Sequence, residues 1–166
     1  MKTDILIETD VKKLSVSSPA FKNRGIIPVK YTCDGKNVNP PIHIDNVPKE
    51  AKCLAIIMED PDAPINSWVH WLAWNLPIGK TINENSSYEH EGVNDFQERI
   101  YVGPCPPNGT HRYFFKIFAL DKTLVLPPNT QKIKLEKAMA EHIVAYGELV
   151  GIYKRNGIRK KSYLVL

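Results

Sequence analysis

Three separated clusters in this sequence place titratable side chains beside proline or aromatic residues. They are Glu59–Pro64, Trp68–Trp71 and the stretch from Gly103 to Tyr113. Proline fixes the backbone φ angle at about −65° and has no N–H, so a proline-rich loop loses little entropy when it holds a side chain in place. Stiff loops of this kind are typical of preformed sites for small molecules.

The first cluster contains two aspartates directly after an apolar run. Cys53–Met58 is continuously apolar, which predicts a strand buried on both faces, and Asp60 and Asp62 follow where this strand leaves the core. One interpretation is a carboxylate at the mouth of a pocket. The other is that both aspartates accept backbone N–H groups in consecutive turns, and Asp62 fits that interpretation better than Asp60.

The second cluster places a histidine between two tryptophans. Strand alternation puts Trp68 and His70 on one face and Val69 and Trp71 on the other. A single histidine in such a strand is often a core residue whose hydrogen bonds are satisfied within the protein. The other interpretation is a pocket-lining residue.

The third cluster favours the pocket. His111 stands at the entrance to the most strongly predicted strand, directly after the Gly103–Pro107 loop. Tyr113 shares its face, and Arg112 points away. Two histidines at strand edges, each with an aromatic residue on the same face, are more typical of a lined pocket than of core filling.

Three chemistries fit these residues. Two histidines and an aspartate could ligate iron or zinc, although the usual H-x-x-H and H-E-x-x-H spacings are absent. Cys105 and His111 could form a nucleophile–base pair. The third chemistry is anion binding by imidazole N–H groups, the Tyr113 hydroxyl and backbone N–H groups near Gly103. Asp60 would repel a phosphate, unless it accepts an N–H from His70 or meets the cationic part of a zwitterion.

Composition limits the class of protein. The chain has 166 residues, which suggests one domain, and a net charge of +4 spread along the sequence, which does not favour nucleic-acid binding. Three cysteines without a C-x-x-C motif predict reduced thiols rather than a disulfide framework. No signal-peptide core and no apolar stretch long enough for a transmembrane segment is visible, so we expect a cytoplasmic location.

Short apolar runs punctuated by proline and glycine predict a β-rich fold, a sandwich of two sheets. One helix is predicted over Leu135–Tyr146, where apolar residues recur every three or four positions and Gly147 follows as a stop. The predicted strands are Ile5–Ile7, Leu14–Val16, Ile26–Tyr31, Cys53–Met58, Val69–Leu76, Tyr113–Leu120 and Glu148–Lys154.

Together these motifs resemble the phosphatidylethanolamine-binding protein family, in its prokaryotic Raf-kinase-inhibitor-like branch. The matching segments are Asp60–Pro64, Trp68–Trp71, the Gly103–Pro107 loop, His111–Tyr113, Tyr31–Pro41 and Gly147–Arg155. The resemblance covers about residues 14–155 of a single domain, 1–166, and leaves 156–166 as a C-terminal extension.

The resemblance implies a mainly β fold, a Greek-key antiparallel sandwich with one or two short helices late in the chain. It also implies a small anion pocket for phosphate, phosphoethanolamine or carboxylate groups, with no cofactor, no metal and no catalytic residue. Family members also regulate kinases or inhibit serine proteases, so a protein-interaction module is the alternative function, and a His/Asp or Cys/His hydrolase is a further one. The residues carried over by motif are Asp60, Ala63, Trp68, His70, Gly103, Pro106, Pro107, His111 and Tyr113.

Some positions depart from the family pattern. Asn39 precedes Pro40 where the branch often has serine, and Ile44 replaces an aromatic residue. Cys105 lines or borders the expected pocket and could alter its chemistry. The apolar end of the 156–166 extension could add an edge strand or pack against a second subunit, which leaves a homodimer open.

Overall fold

The structure, a computed structural model, describes residues 10–157, which form two β-sheets and one α-helix. The larger sheet has the strand order β1-β8-β7-β4-β5, and the smaller has the order β2-β3-β6. The mainly β, two-sheet prediction is therefore confirmed. The strands are β1 Lys12–Lys13, β2 Ser15–Ser17, β3 Ile42–Asp45, β4 Cys53–Asp60, β5 Trp68–Leu76, β6 Thr81–Ile82, β7 His111–Leu120 and β8 Ile143–Tyr153, and helix α1 is Lys132–Met139.

Strand β4 lies inside the larger sheet, between β5 and β7, and every one of its eight residues is buried. Its side chains alternate between two cores. Leu54, Ile56 and Met58 pack against the smaller sheet, whereas Ala55 and Ile57 pack on the side of α1. Because both faces are covered, the strand is continuously apolar, as the sequence predicts. The same alternation sends the last two residues of β4 to opposite faces.

A β-bulge interrupts the pairing of β4 with β5 at His70. Met58 faces Trp71 and Glu59 faces Val69, so His70 is an extra residue with no partner on β4. The bulge breaks the predicted alternation. Val69 and Trp71 were expected on one face, but they pack into different cores. Bulges re-aim side chains, and this one separates His70 from the regular ladder.

The predicted helix over Leu135–Tyr146 is wrong in its second half. Helix α1 ends at Met139, and the chain from Ile143 onwards belongs to β8, where Tyr146 pairs with Phe118 of β7. Gly147 is not a helix stop. A β-carbon there would lie 2.5 Å from the Leu14 carbonyl oxygen, so the glycine allows the chain near β2 to pack closely on β8. Sheet pairing thus overrides a helical period, which is a purely local signal.

The predicted strand over Ile26–Tyr31 is also wrong. Ile26 forms only an isolated bridge to Ile152, and Val29–Tyr31 is a 3₁₀ turn that follows Pro28. Proline supplies no N–H for a sheet ladder, which explains why no strand continues through it. The predicted strand Ile5–Ile7 and the apolar end of the extension lie outside the described residues. Within 10–157, no helix is long and apolar enough to cross a membrane.

Candidate functional site

Asp60, His70, His111 and Tyr113 meet at one end of the larger sheet, and we call them the histidine cluster. Asp60 ends β4, while His111 and Tyr113 begin β7 beside it. The Nδ1 atom of His111 lies 2.7 Å from Oδ2 of Asp60, and the other Asp60 oxygen accepts the backbone N–H of Asp62 at 2.8 Å. The turn interpretation holds for Asp60, because one carboxylate oxygen closes a turn while the other orients a histidine. It is wrong for Asp62, which we expected to fit it better, because the Asp62 carboxylate binds the backbone N–H and the guanidinium of Arg112.

His70 reaches the cluster from β5, and its ring contacts Tyr113 edge-on with the ring centroids 5.3 Å apart. Its Nδ1 atom lies 2.6 Å from the carbonyl oxygen of Val102. One of the two arrangements that would reconcile Asp60 with an anion has it accept an N–H from His70; instead Asp60 accepts from His111, and the partner of His70 is the Val102 backbone. The bulge causes this difference, because it takes His70 out of register with β4.

Burial shifts the titration of two groups in the cluster. The His70 side chain is almost fully buried, and desolvation of the charged ring lowers its pKa below the ordinary value. Burial likewise raises the pKa of Tyr113, and the nearby negative charge of Asp60 raises it further. No hydrogen bond of normal geometry joins Tyr113 to Asp60, and the buried hydroxyl has no hydrogen-bond partner among residues 10–157.

Gly103 positions the loop beside His70 but does not offer a free donor. Its N–H donates to the Asn37 side-chain oxygen at 2.7 Å. A β-carbon at Gly103 would lie 2.2 Å from the Tyr31 carbonyl oxygen, so only glycine allows this approach. The Gly103 N–H, one of the predicted anion donors of this loop, is therefore already used within the protein.

The prediction of reduced thiols is wrong for two of the three cysteines. Cys33 and Cys105 form a disulfide with their Cα atoms 5.4 Å apart. The contact is long-range: the Cys33 N–H donates to the Pro104 carbonyl oxygen at 3.1 Å, which brings the two loops side by side. A separation of 72 residues hides this proximity from any spacing rule. Cys53, the first residue of β4, remains a free and buried thiol.

The remaining predicted residues take different places. Trp68 joins the cluster indirectly, because both its ring and the His70 ring pack edge-on against Phe96. Pro106 is buried, Ala63 is partly buried and Pro107 is exposed. None of these three side chains has a hydrogen-bonding group, so they can contribute shape alone.

Sequence reasoning missed the loop around Asn94, which packs against His70. Asn94, which is 1% exposed, accepts the N–H groups of Phe96 and Glu98 and donates to the carbonyl oxygens of His70 and Ile100. It thereby folds the loop that carries Phe96 against the His70 ring. The only sequence signal was an asparagine in a loop of mixed composition. Such an asparagine predicts a turn, but it does not predict which side chain the turn packs against.

A wide groove of about 550 Å³ lies elsewhere, on the α1 side of the larger sheet, and its lining includes Glu59, Lys116 and Lys132. Its size alone does not make it the better candidate, because the Glu59 carboxylate is already bound by both lysines. Among residues 10–157 no group of three or more His, Cys, Asp or Glu side chains could hold a metal ion. The convergent polar groups with spare hydrogen-bonding capacity are in the histidine cluster.

Comparison with known proteins agrees with this fold. A family model described as phosphatidylethanolamine-binding protein matches residues 17–154. A UPF0098 protein of Pyrococcus abyssi is 46% identical over 149 residues, which cover 83% of this chain and 84% of the relative. Another, from Methanothermobacter thermautotrophicus, is 43% identical over 150 residues, which cover 86% of this chain and 99% of the relative.

Two solved structures are also similar. A phosphatidylethanolamine-binding protein homologue from Chlamydia trachomatis is 37% identical, with a TM-score of 0.83, and the match covers 87% of this chain and 99% of that one. YbcL of Escherichia coli shares the fold with a TM-score of 0.79 at 24% identity, over 86% of this chain and 99% of YbcL. The names of the curated relatives state no ligand or activity.

Proposed function

This chain belongs to the phosphatidylethanolamine-binding protein family, and from that premise we propose that it is a non-enzymatic binding protein whose histidine cluster takes a small oxyanion. The ligand class is phosphate, a phosphorylated head group such as phosphoethanolamine, or a carboxylate. Two imidazole rings and a phenol can all hydrogen-bond an oxygen-rich group, and the stiff loops around them favour a preformed site.

One observation carries the proposal, which is the unpartnered hydroxyl of Tyr113. The residue is 0% exposed, and its hydroxyl has no hydrogen-bond partner within the described chain. Leaving a buried hydroxyl unpaired costs about 1–3 kcal/mol, and proteins rarely tolerate it without reason. A ligand oxygen that accepts from this hydroxyl would remove the cost, so the apo protein is already arranged for such a ligand.

The Asp60–His111 pair resembles the base of a hydrolase, but its surroundings favour binding. A nucleophile would have to lie within hydrogen-bond reach of His111. The sequence offered Cys105, and its sulfur is bonded to Cys33. The pair therefore serves better to orient the His111 ring for a ligand than to activate a nucleophile.

A titration followed by NMR tests the proposal. Inorganic phosphate and O-phosphoethanolamine are added to the full chain at pH 6 to 8 while the histidine ring signals are recorded. We expect saturable shifts of the His70 and His111 rings with the same apparent Kd, because both rings would contact one ligand. His70→Ala and His111→Ala should each weaken binding by about tenfold or more, the equivalent of one lost charge-assisted hydrogen bond.

His43→Ala is the matched control, because His43 is exposed on β3 in the smaller sheet. It should leave the Kd unchanged. Equal weakening by all three substitutions would indicate nonspecific binding to basic residues. An absence of shifts up to tens of millimolar ligand would refute the anion site.

A further inference from the structure

The hydrogen bonds around His70 determine which of its nitrogens carries a proton. A carbonyl oxygen can only accept, so the Nδ1 atom that lies 2.6 Å from the Val102 oxygen must be the N–H. In the neutral ring, the Nε2 atom then carries a lone pair and accepts. The hydrogen bond of normal geometry that the His70 ring makes within residues 10–157 involves Nδ1, so Nε2 is available to a ligand.

The Nδ1 atom of His111 also has a fixed partner, but here the partner is a carboxylate. Both oxygens of Asp60 act as acceptors, one from the Asp62 N–H and one from His111, which is the pattern of an ionised carboxylate. Nδ1 of His111 is therefore the donor in this pair.

The charges around these rings come from several elements. Asp60 at the end of β4 and Asp95 in the loop beneath β5 both favour a protonated His70, but burial outweighs them and lowers its pKa. Asp62 lies near His111, and the guanidinium of Arg112 binds it through two N–H groups. Tyr113 keeps its proton because burial raises its pKa.

The cluster therefore presents one acceptor, Nε2 of the neutral His70 ring, and one hydroxyl donor. The donor is the Tyr113 hydroxyl, since the Gly103 N–H is occupied by Asn37. An oxyanion without a proton offers acceptors alone, and an oxygen placed at His70 Nε2 would bring two lone pairs face to face. One proton shared between the oxygen and the nitrogen turns this repulsion into a hydrogen bond.

We infer that this site selects oxyanions that carry a proton, such as hydrogen phosphate or a phosphate monoester monoanion, over fully deprotonated oxyanions of the same size and charge. A deprotonated oxyanion binds by taking up a proton from solvent onto a histidine. The inference rests on the proposed anion site and concerns its specificity. His70 is the specificity-determining residue, because its backbone partner prevents the ring from turning its N–H outward.

Sulfate and inorganic phosphate provide the test. Near neutral pH both carry dianionic forms of similar size, but hydrogen phosphate has one proton and sulfate has none. Calorimetric titrations of the full chain with each anion are made at pH 7.5 and equal ionic strength, in two buffers that differ in ionisation enthalpy. We expect phosphate to bind about tenfold more tightly, the effect of one mismatched hydrogen bond, and sulfate to take up about one more proton.

The two possible failures are distinguishable. Equal affinities without a difference in proton uptake, and with both anions shifting the same histidine signals, would overturn this inference and leave the proposed anion site intact. No binding of either anion would overturn both. His70→Gln adds a second arm, because an amide can donate where the imidazole accepts. His70→Gln should lower the ratio of phosphate affinity to sulfate affinity, whereas His43→Gln should leave this ratio unchanged. An unchanged ratio in folded His70→Gln would count against the inference.

Discussion

Glu59 and Asp60 are consecutive residues of β4, and their carboxylates point to opposite faces of the larger sheet. Both are buried, with 3% and 4% of their surface exposed. Glu59 faces the α1 side, where Lys116 of β7, Lys132 of α1 and the Ser67 hydroxyl all donate to it. Asp60 faces the other side, where a histidine and one backbone N–H donate to it.

The two environments differ in what they leave unsatisfied. Burial acts to raise the pKa of Glu59, but the hydrogen bonds from both lysines outweigh it and hold the pKa below its ordinary value. Around Asp60, the buried Tyr113 hydroxyl lacks a hydrogen-bond partner within residues 10–157. A saturated buried carboxylate contributes to structure, whereas spare hydrogen-bonding capacity beside a buried carboxylate indicates a ligand site.

The largest predicted effect concerns the covalent tie at the Asp60 end. Removing the disulfide in the double variant Cys33→Ser, Cys105→Ser should lower the free energy of unfolding by about 4 kcal/mol, because the bond closes a loop of about 70 residues in the unfolded chain. Urea unfolding measures the change. Hydrogen exchange should increase at Gly103 and leave the backbone around Glu59 protected.

Treating the parent protein with a dithiol reductant should reproduce this loss, and the same reductant should not change the double variant. If the loss is below about 1 kcal/mol, the hydrogen bonds from Cys33 and Gly103 hold the loop without the covalent bond.

A smaller effect is expected when the saturated side is broken. Glu59→Ala removes the shared acceptor of two lysines and should cost about 3 kcal/mol of unfolding free energy, near the low end for a buried pair because both lysines can turn towards solvent. Phosphate affinity of the folded variant should stay unchanged. Glu50→Ala, which removes an exposed partner of Lys12, is the control and should have a far smaller effect.

The pH dependence of stability sharpens this prediction. Because the pKa of Glu59 is lowered on folding, its stabilisation is present above its ordinary value of 4.5 and is lost as the pH falls through the folded pKa. His70 acts in a higher window. Its pKa is also lowered, so the unfolded chain takes up a proton first and stability declines as the pH falls below 6.5. Glu59→Ala should therefore flatten the dependence of unfolding free energy on pH only below 4.5. Flattening near pH 6.5 would contradict the assignment of that window to His70.

The smallest predicted effects are changes in the free energy of unfolding, and they have opposite signs at two tyrosines. Tyr113→Phe removes an unpaired buried hydroxyl and should leave stability unchanged or raise it by up to about 1 kcal/mol, while phosphate affinity falls about tenfold. Tyr101→Phe is the matched control. Its buried hydroxyl donates to the Tyr31 carbonyl oxygen at 2.7 Å, so its loss should cost about 1 kcal/mol and leave phosphate affinity unchanged.

Thermal or urea unfolding measures the stability of each variant, and phosphate titration measures its affinity. A destabilised Tyr113→Phe with normal phosphate affinity would place the hydroxyl among structural groups and remove the difference between the two faces of β4.

Much of the fold was predictable from local patterns. The apolar run Cys53–Met58 predicted a strand buried on both faces, and β4 is one. Likewise, alternation from His111 to Tyr113 correctly placed these two side chains inward and Arg112 outward. The helix was predicted too long because Leu135–Tyr146 has a helical period, although the second half of this segment gains more by pairing with β7.

For the candidate site, the sequence predicted the residue types and that they lie close together. The motifs brought Asp60, His70, His111 and Tyr113 into one hypothesis, and the structure places these four side chains together. Local patterns could not show that Asp60 pairs with His111 rather than with His70, because the bulge at His70 depends on how β5 meets β4.

By itself, the sequence determined which faces of the central strands are apolar and where the polar clusters interrupt them, because side-chain alternation is a property of each strand alone. Only the tertiary structure decided the disulfide between Cys33 and Cys105, the loop built by Asn94 beneath His70 and the tautomer of His70. Each of these depends on groups that are distant in sequence, and the backbone oxygen of Val102 that orients His70 has no sequence signature at all.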